Sequence, residues 1–154
     1  MTDSLNDLYR DIIMDHFRYP RGQKHLDKVD IKTEGKNPTC GDELELELKI
    51  DHDIVEDVSV GCKGCAISIA SGSILSELVK GKDLQEVKKI ARHVKGMLKG
   101  ENMSDNFNLG DLEALKGVKD FPVRIKCALL SWTALIDGID AWEHKEKAKV
   151  SSTE

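Results

Sequence analysis

No stretch of this 154-residue sequence is long and apolar enough to serve as a membrane span, and the N-terminus lacks the charged-then-apolar layout of a secretory signal. These absences lead us to expect a cytosolic protein with no membrane partner. There is no basic excess either: 23 Lys and Arg face 28 Asp and Glu, for a net charge of -5. Nucleic-acid binding needs a clustered cationic surface, so no nucleic-acid partner is expected. Internal repeats and low-complexity segments are missing, which excludes solenoids and arrays. What remains is an ordinary globular composition, 40% hydrophobic and 33% charged, in a chain of a length that suits one domain.

The four cysteines carry the argument onward. In a reducing compartment they read as ligands or reactive thiols rather than disulfides. Cys40 and Asp42 flank Gly41, and in extended backbone residues i and i+2 face the same side, so both can address one metal ion. Cys65 and Cys127 each fall near the start of a predicted helix, where the dipole and unpaired N–H groups favour a thiolate.

The surrounding pattern predicts an α+β fold. Leu5, Leu8, Ile12, Ile13 and His16 form one stripe of a helix over 3–18, with Asp3 or Ser4 as cap and Pro20 as its end. His16 reads as a core-edge residue. Val29, Ile31 and Thr33 suit a short first strand. Leu44 to Ile50 alternates without a fault, Asp51-His52-Asp53 is turn chemistry, and Ile54 to Val60 supplies the return strand of a hairpin, with His52 exposed at its tip. A helix opens at Cys65 and closes at Gly81; another, capped by Asp83, runs over 83–99, with His93 beside its apolar stripe. A polar loop over 100–110 and a helical turn around Asp111 to Leu115 precede a long last helix led by Phe121-Pro122. The expectation is a small antiparallel sheet of about three strands packed against helices, as a single domain over 1–143. Residues 144–154 are expected to be a disordered tail.

Three thiolates and a carboxylate from Cys40, Asp42, Cys65 and Cys127 would fill a tetrahedral zinc site. On residue chemistry alone, such a site and a scatter of reactive and buried cysteines both stay open.

Four segments resemble one family. They are Leu8-Tyr9-Arg10-Asp11-Ile12-Ile13-Met14-Asp15-His16-Phe17 with Pro20-Arg21, then Asn37-Pro38-Thr39-Cys40-Gly41-Asp42, then Gly64-Cys65-Ala66-Ile67-Ser68-Ile69-Ala70-Ser71, and Phe121-Pro122-Val123-Arg124-Ile125-Lys126-Cys127. Together they resemble the U-type iron–sulfur cluster assembly family over about residues 5–142, and within it the SufU branch. Lys126, where the cluster-scaffold branch carries His, and the segment around 85–110 both resemble SufU.

The resemblance implies zinc held at Cys40, Asp42, Cys65 and Cys127, with Cys40 as the acceptor of persulfide sulfur. The implied partners are a SufS-type cysteine desulfurase, which donates the sulfur, and downstream iron–sulfur assembly proteins. The other branch builds a transient [2Fe–2S] cluster on related ligands, so iron or such a cluster is the alternative cargo. A purely structural zinc site is a further alternative. Hydrolysis is disfavoured, because four protein ligands leave no position for a water nucleophile and no histidine is placed as a base.

The carboxylate, the harder partner among sulfurs, is a candidate exchange position. Zinc with this ligand set carries about -2 of charge, which Lys63, Arg124 and Lys126 could offset if they are not simply solvated. Cys62, in a C-x-x-C with Cys65, could replace Asp42, resolve a persulfide, or stand by; the bystander reading is favoured because four ligands already complete a tetrahedron.

Overall fold

A computed structural model describes residues 2–101, 110–118, 120–144 and 150–152. Its elements in chain order are α1 (Thr2–Arg18), β1 (Ile31–Asn37), β2 (Asp42–Asp51), β3 (Ile54–Lys63), α2 (Ala66–Val79), α3 (Leu84–Leu98), a 3-10 helix (Gly110–Val118), α4 (Pro122–Glu143) and β4 (Val150–Ser152). No helix among the described residues is long and apolar enough to cross a membrane.

The sheet follows from period-two patterning. Leu44, Leu46 and Leu48 of β2 are buried, while Glu43 and Glu45 face outward. β1 and β3 pair antiparallel on either side, with Thr33 opposite Leu46 and Leu46 opposite Val60. The β2–β3 turn puts His52 and Asp53 at φ 50° and 62°, and the His52 side chain is exposed as expected. The strands outrun the sequence pattern at the ends that matter: β1 reaches Asn37 and β3 reaches Lys63, so both stop beside the cysteine segments. Val150–Ser152, inside the stretch expected to be a tail, adds a short parallel strand against Glu34–Lys36. Residues 145–149, 153 and 154 of that stretch, like 102–109 of the expected polar loop, lie outside the described residues.

The apolar face of the sheet is covered by α2 and α4. A Cβ on Gly138 of α4 would meet Ile31 Cγ2 at 2.9 Å, so this helix lies close upon β1 only because that side chain is missing. α2 is buried along most of its length, and its four serines, all buried, each find a separate partner. Ser68 donates to Asp42, Ser71 donates to the Ala128 carbonyl at 2.7 Å and accepts from Trp132 Nε1 at 3.0 Å, and Ser76 donates to the Ser73 carbonyl at 2.8 Å. Ser73 joins α1 through His16.

α1 begins at Thr2, ahead of the caps Asp3 and Ser4 expected for it; their side chains and that of Leu5 lie outside the described residues. Of its expected stripe, Ile13 and His16 are buried while Leu8 is 53% exposed. His16 is more deeply placed than a core edge. Its Nε2–H donates to Asp111 Oδ2 at 2.7 Å, and its Nδ1 accepts the Ser73 hydroxyl at 2.7 Å. Ser73 Oγ in turn accepts the Arg21 backbone N–H at 2.9 Å. One tautomer thus satisfies α1, α2 and the 3-10 helix together.

His16→Ala opens a cavity and takes away one partner each of the Ser73 hydroxyl and the Asp111 carboxylate, and is expected to cost about 3 kcal/mol. Urea denaturation followed by circular dichroism measures it; a midpoint unchanged from wild type would show that the chain of bonds contributes nothing to stability.

Candidate metal centre

β1, β2, α2 and α4 bring their ends together at one end of the sheet's strands. β1 ends in a tight turn in which Cys40 N–H and Gly41 N–H both donate to the Asn37 carbonyl, at 3.2 and 2.8 Å. Gly41 takes φ 73°, a region that side chains resist, and β2 starts directly after it at Asp42. Across β2, strand β3 delivers Gly64 and Cys65, and Cys65 is the N-cap of α2, its sulfur accepting from Ser68 N–H at 3.5 Å. Cys127 comes from the second turn of α4, which Pro122 opens at its first position.

These elements place the four expected ligands as follows. Cys40, Asp42 and Cys127 form a mutual cluster whose ligand atoms all lie within 4.8 Å of one another. The Cys40 and Cys127 sulfurs are 3.2 Å apart, both as free thiols. Cys65 stands at the rim of this trio, its sulfur 3.8 Å from Asp42 Oδ2. Zinc–sulfur bonds of about 2.3 Å in a tetrahedron need ligand atoms roughly 3.3–3.8 Å apart, close to the Cys40–Cys127 and Cys65–Asp42 separations. Burial first, then hydrogen bonding with Cys40, Asp42 and Cys65, pushes the Cys127 thiol well above the ordinary range. A thiol in that position becomes a thiolate when a cation offsets the cost.

Asp42 is only 1% exposed, which its place in a loop-proximal strand does not predict. Its carboxylate is held by donors: Cys65 N–H reaches Oδ1 at 2.9 Å, and the Ser68 hydroxyl makes a short bond to Oδ2. A Cβ on Gly64 would come within 2.6 Å of Asp42 Cγ, so the glycine before Cys65 is what lets the carboxylate sit beneath the start of α2. Asp42 is pinned, whereas Cys40 lies half-buried in a turn whose Pro38, Thr39 and Gly41 are exposed.

Two further residues at the site were not singled out from the sequence as functional. Ser68 falls three positions after the N-cap, which is the spacing that brings a side chain back to a helix start. Asn37 is fully buried; its Nδ2 lies 3.9 Å from Cys127 Sγ and its Oδ1 has no hydrogen-bond partner among the described residues. Nothing in the sequence around Asn37 marks it for this position. Of the cations considered for charge offset, Lys63 and Arg124 are exposed and Lys126 is half-buried.

Cys62 faces the core opposite Leu44 in the β2–β3 ladder and stays outside the cluster. Burial, and then the nearby Asp42 and Cys65 charges, push its thiol up to about 12. The folded value lies above the unfolded value of 9.0, so this thiol's contribution to stability is complete below pH 9 and is lost as pH rises toward 12. That upward shift leaves little thiolate at pH 8, so Cys62 should be alkylated much more slowly than an ordinary free cysteine in the metal-free folded protein. Cys62→Ala should keep full metal content. Rapid labelling of Cys62 by iodoacetamide at pH 8, or metal loss in the alanine variant, would show it to be part of the centre.

The NifU-like N-terminal domain model matches residues 8–128. The zinc-dependent sulfurtransferase SufU of Bacillus subtilis (strain 168) is 45% identical over 136 residues, spanning 88% of this chain and 92% of that protein. The iron–sulfur cluster assembly scaffold protein IscU of Streptococcus pyogenes serotype M1 is 39% identical over 135 residues, spanning 88% of this chain and 84% of that protein. A crystal structure from Fervidobacterium islandicum AW-1, described as an iron–sulfur cluster assembly scaffold for the SUF system, superposes with a TM-score of 0.78 at 34% identity and covers 83% of this chain and 93% of its own. With a family match running from α1 into α4 and relatives similar over most of both lengths, the chain belongs to the NifU-like N-terminal domain family.

Proposed function

We propose that this protein serves iron–sulfur cluster assembly as a zinc-holding sulfur acceptor, with Cys40, Asp42, Cys65 and Cys127 as the ligands and Cys40 as the sulfur-carrying residue. The observation that carries the reading is the convergence of three thiols and one buried carboxylate at one end of the sheet's strands, with one of the thiols on an exposed turn. The relatives named as a zinc-dependent sulfurtransferase and as assembly scaffolds support it.

Zinc, when bound, keeps the thiols deprotonated at neutral pH. The chain's own residues do the rest. Cys127 is 2% exposed and rooted in α4, and Cys65 caps α2, so neither sulfur travels far without disturbing a helix. Cys40 sits in the short turn between β1 and β2, half-buried among exposed neighbours. A donor of the SufS-type cysteine desulfurase class presents a persulfide, R–S–SH. The Cys40 thiolate attacks its outer sulfur, a new S–S bond forms at Cys40, the donor's S–S bond breaks, and the donor cysteine leaves as a thiolate. The outer sulfur keeps its proton, so Cys40 ends as Cys40–S–SH, ready for a downstream assembly protein.

The relatives named IscU favour a second reading, in which the same ligands carry a transient [2Fe–2S] cluster as cargo. Metal analysis separates the two. The sulfur-acceptor reading expects colourless protein with a single zinc ion per chain, and the scaffold reading expects brown protein containing iron and sulfide.

Incubating the zinc-loaded protein with a desulfurase and cysteine, trapping with an alkylating probe and mapping peptides by mass spectrometry should place the persulfide on Cys40. Cys40→Ser should reduce capture to background. Label mainly on Cys62 or Cys127, or undiminished transfer in Cys40→Ser, would overturn the assignment.

A further inference from the structure

A centre with three thiolates needs a reason for one of them to leave while the others stay. Ligand chemistry supplies none, since all three are cysteines. The structure supplies an asymmetry through a side chain that is not itself an expected ligand. Ser68 is 1% exposed in the first turn of α2. Its hydroxyl donates to Asp42 Oδ2, the same Oγ lies 3.5 Å from Cys65 Sγ, and its backbone N–H points at that sulfur over 3.5 Å. Asp42 Oδ1 meanwhile accepts the Cys65 N–H at 2.9 Å. Asp42 and Cys65 are therefore tied twice, once directly and once through Ser68. Cys40 stands outside this knot: its thiol faces Cys127 at 3.2 Å, and its backbone belongs to the turn from Asn37.

We propose that Ser68 is a positioning residue that makes the centre asymmetric: its hydroxyl fixes Asp42 and Cys65, so that Cys40 is the ligand that departs. This rests on the four-ligand reading given above. A carboxylate oxygen has two lone pairs, so Asp42 Oδ2 accepts from Ser68 and still has one to offer a metal. Hydrogen bonds to ligating carboxylates orient them, and removing such a partner typically weakens metal binding about 10–100-fold. The Ser68 N–H survives any substitution except proline, so the hydroxyl alone is under test.

The experiment uses the full chain loaded with zinc or with cobalt(II), and needs no desulfurase. Limiting iodoacetamide followed by peptide mapping gives the order in which the cysteines react. Wild type should label Cys40 first. In Ser68→Ala the preference for Cys40 over Cys65 should fall about tenfold, zinc should pass to a chelator about tenfold faster, and the sulfur-to-cobalt absorption bands should shift. Ser73→Ala loosens the same helix at its His16 end and should leave the labelling order and the cobalt spectrum as in wild type. An unchanged order in Ser68→Ala, or an equal loss of order in Ser73→Ala, overturns the proposal. If Ser68→Ala holds no cobalt, Ser68→Thr decides: regained binding with Cys40 labelled first supports the role of the hydroxyl, and failure to regain it counts against. Absence of persulfide on Cys40 in the transfer assay would instead defeat the sulfur-acceptor reading and leave this outcome intact.

Discussion

A carboxylate buried at the end of a sheet must be surrounded by donors, and meeting that requirement organises one end of this molecule. Asp42 lies at the first position of β2, and the donors that reach it, Cys65 N–H and the Ser68 hydroxyl, belong to the opening of α2. The negative end of a side chain thus meets the positive end of a helix, which favours both. Gly64 is obligatory for the approach, because any Cβ there would occupy the space of the carboxylate. β3 has to continue to Lys63 to hand the chain over at that height. The position of Cys65 follows from a bond to an anion more than from any preference of its own.

This arrangement explains which parts of the fold were legible in advance. The alternation of β2, the turn at His52 and Asp53, the Asp83 cap with its 2.8 Å bond to Glu86 N–H, and the proline opening of α4 are all local, and the chain shows them openly. The depth of His16 was not legible, because its partners Ser73 and Asp111 lie 57 and 95 residues away. Nor was the pairing of Val150–Ser152 with β1, since a three-residue strand has no period to read.

At the site the same division holds. The candidate ligands Cys40, Asp42, Cys65 and Cys127 could be named from residue type and motif, and the structure brings three of them into one cluster with Cys65 at its rim. The reading of the carboxylate as an exchange position came from ligand hardness, a property of the isolated group. Its burial and its two donors are tertiary facts that no local pattern announces. Cys62 shows the converse: C-x-x-C spacing suggested a shared task with Cys65, but one cysteine is still in the strand, facing the core, while the other has already turned into the helix.

The serines of α2 have a consequence for alignment. A helix held by aliphatic packing alone can slide along a sheet at modest cost, because one methyl group serves about as well as the next. This one is keyed by Ser68, Ser71 and Ser73 to partners in β2, α4 and α1. A shift of a single residue moves each hydroxyl by about 1.5 Å along the axis and turns it away from its acceptor, so several bonds fail together. The helix behaves as a vernier with one reading. The register is held jointly, so the loss of one distant bond leaves the first sulfur of α2 where it stood.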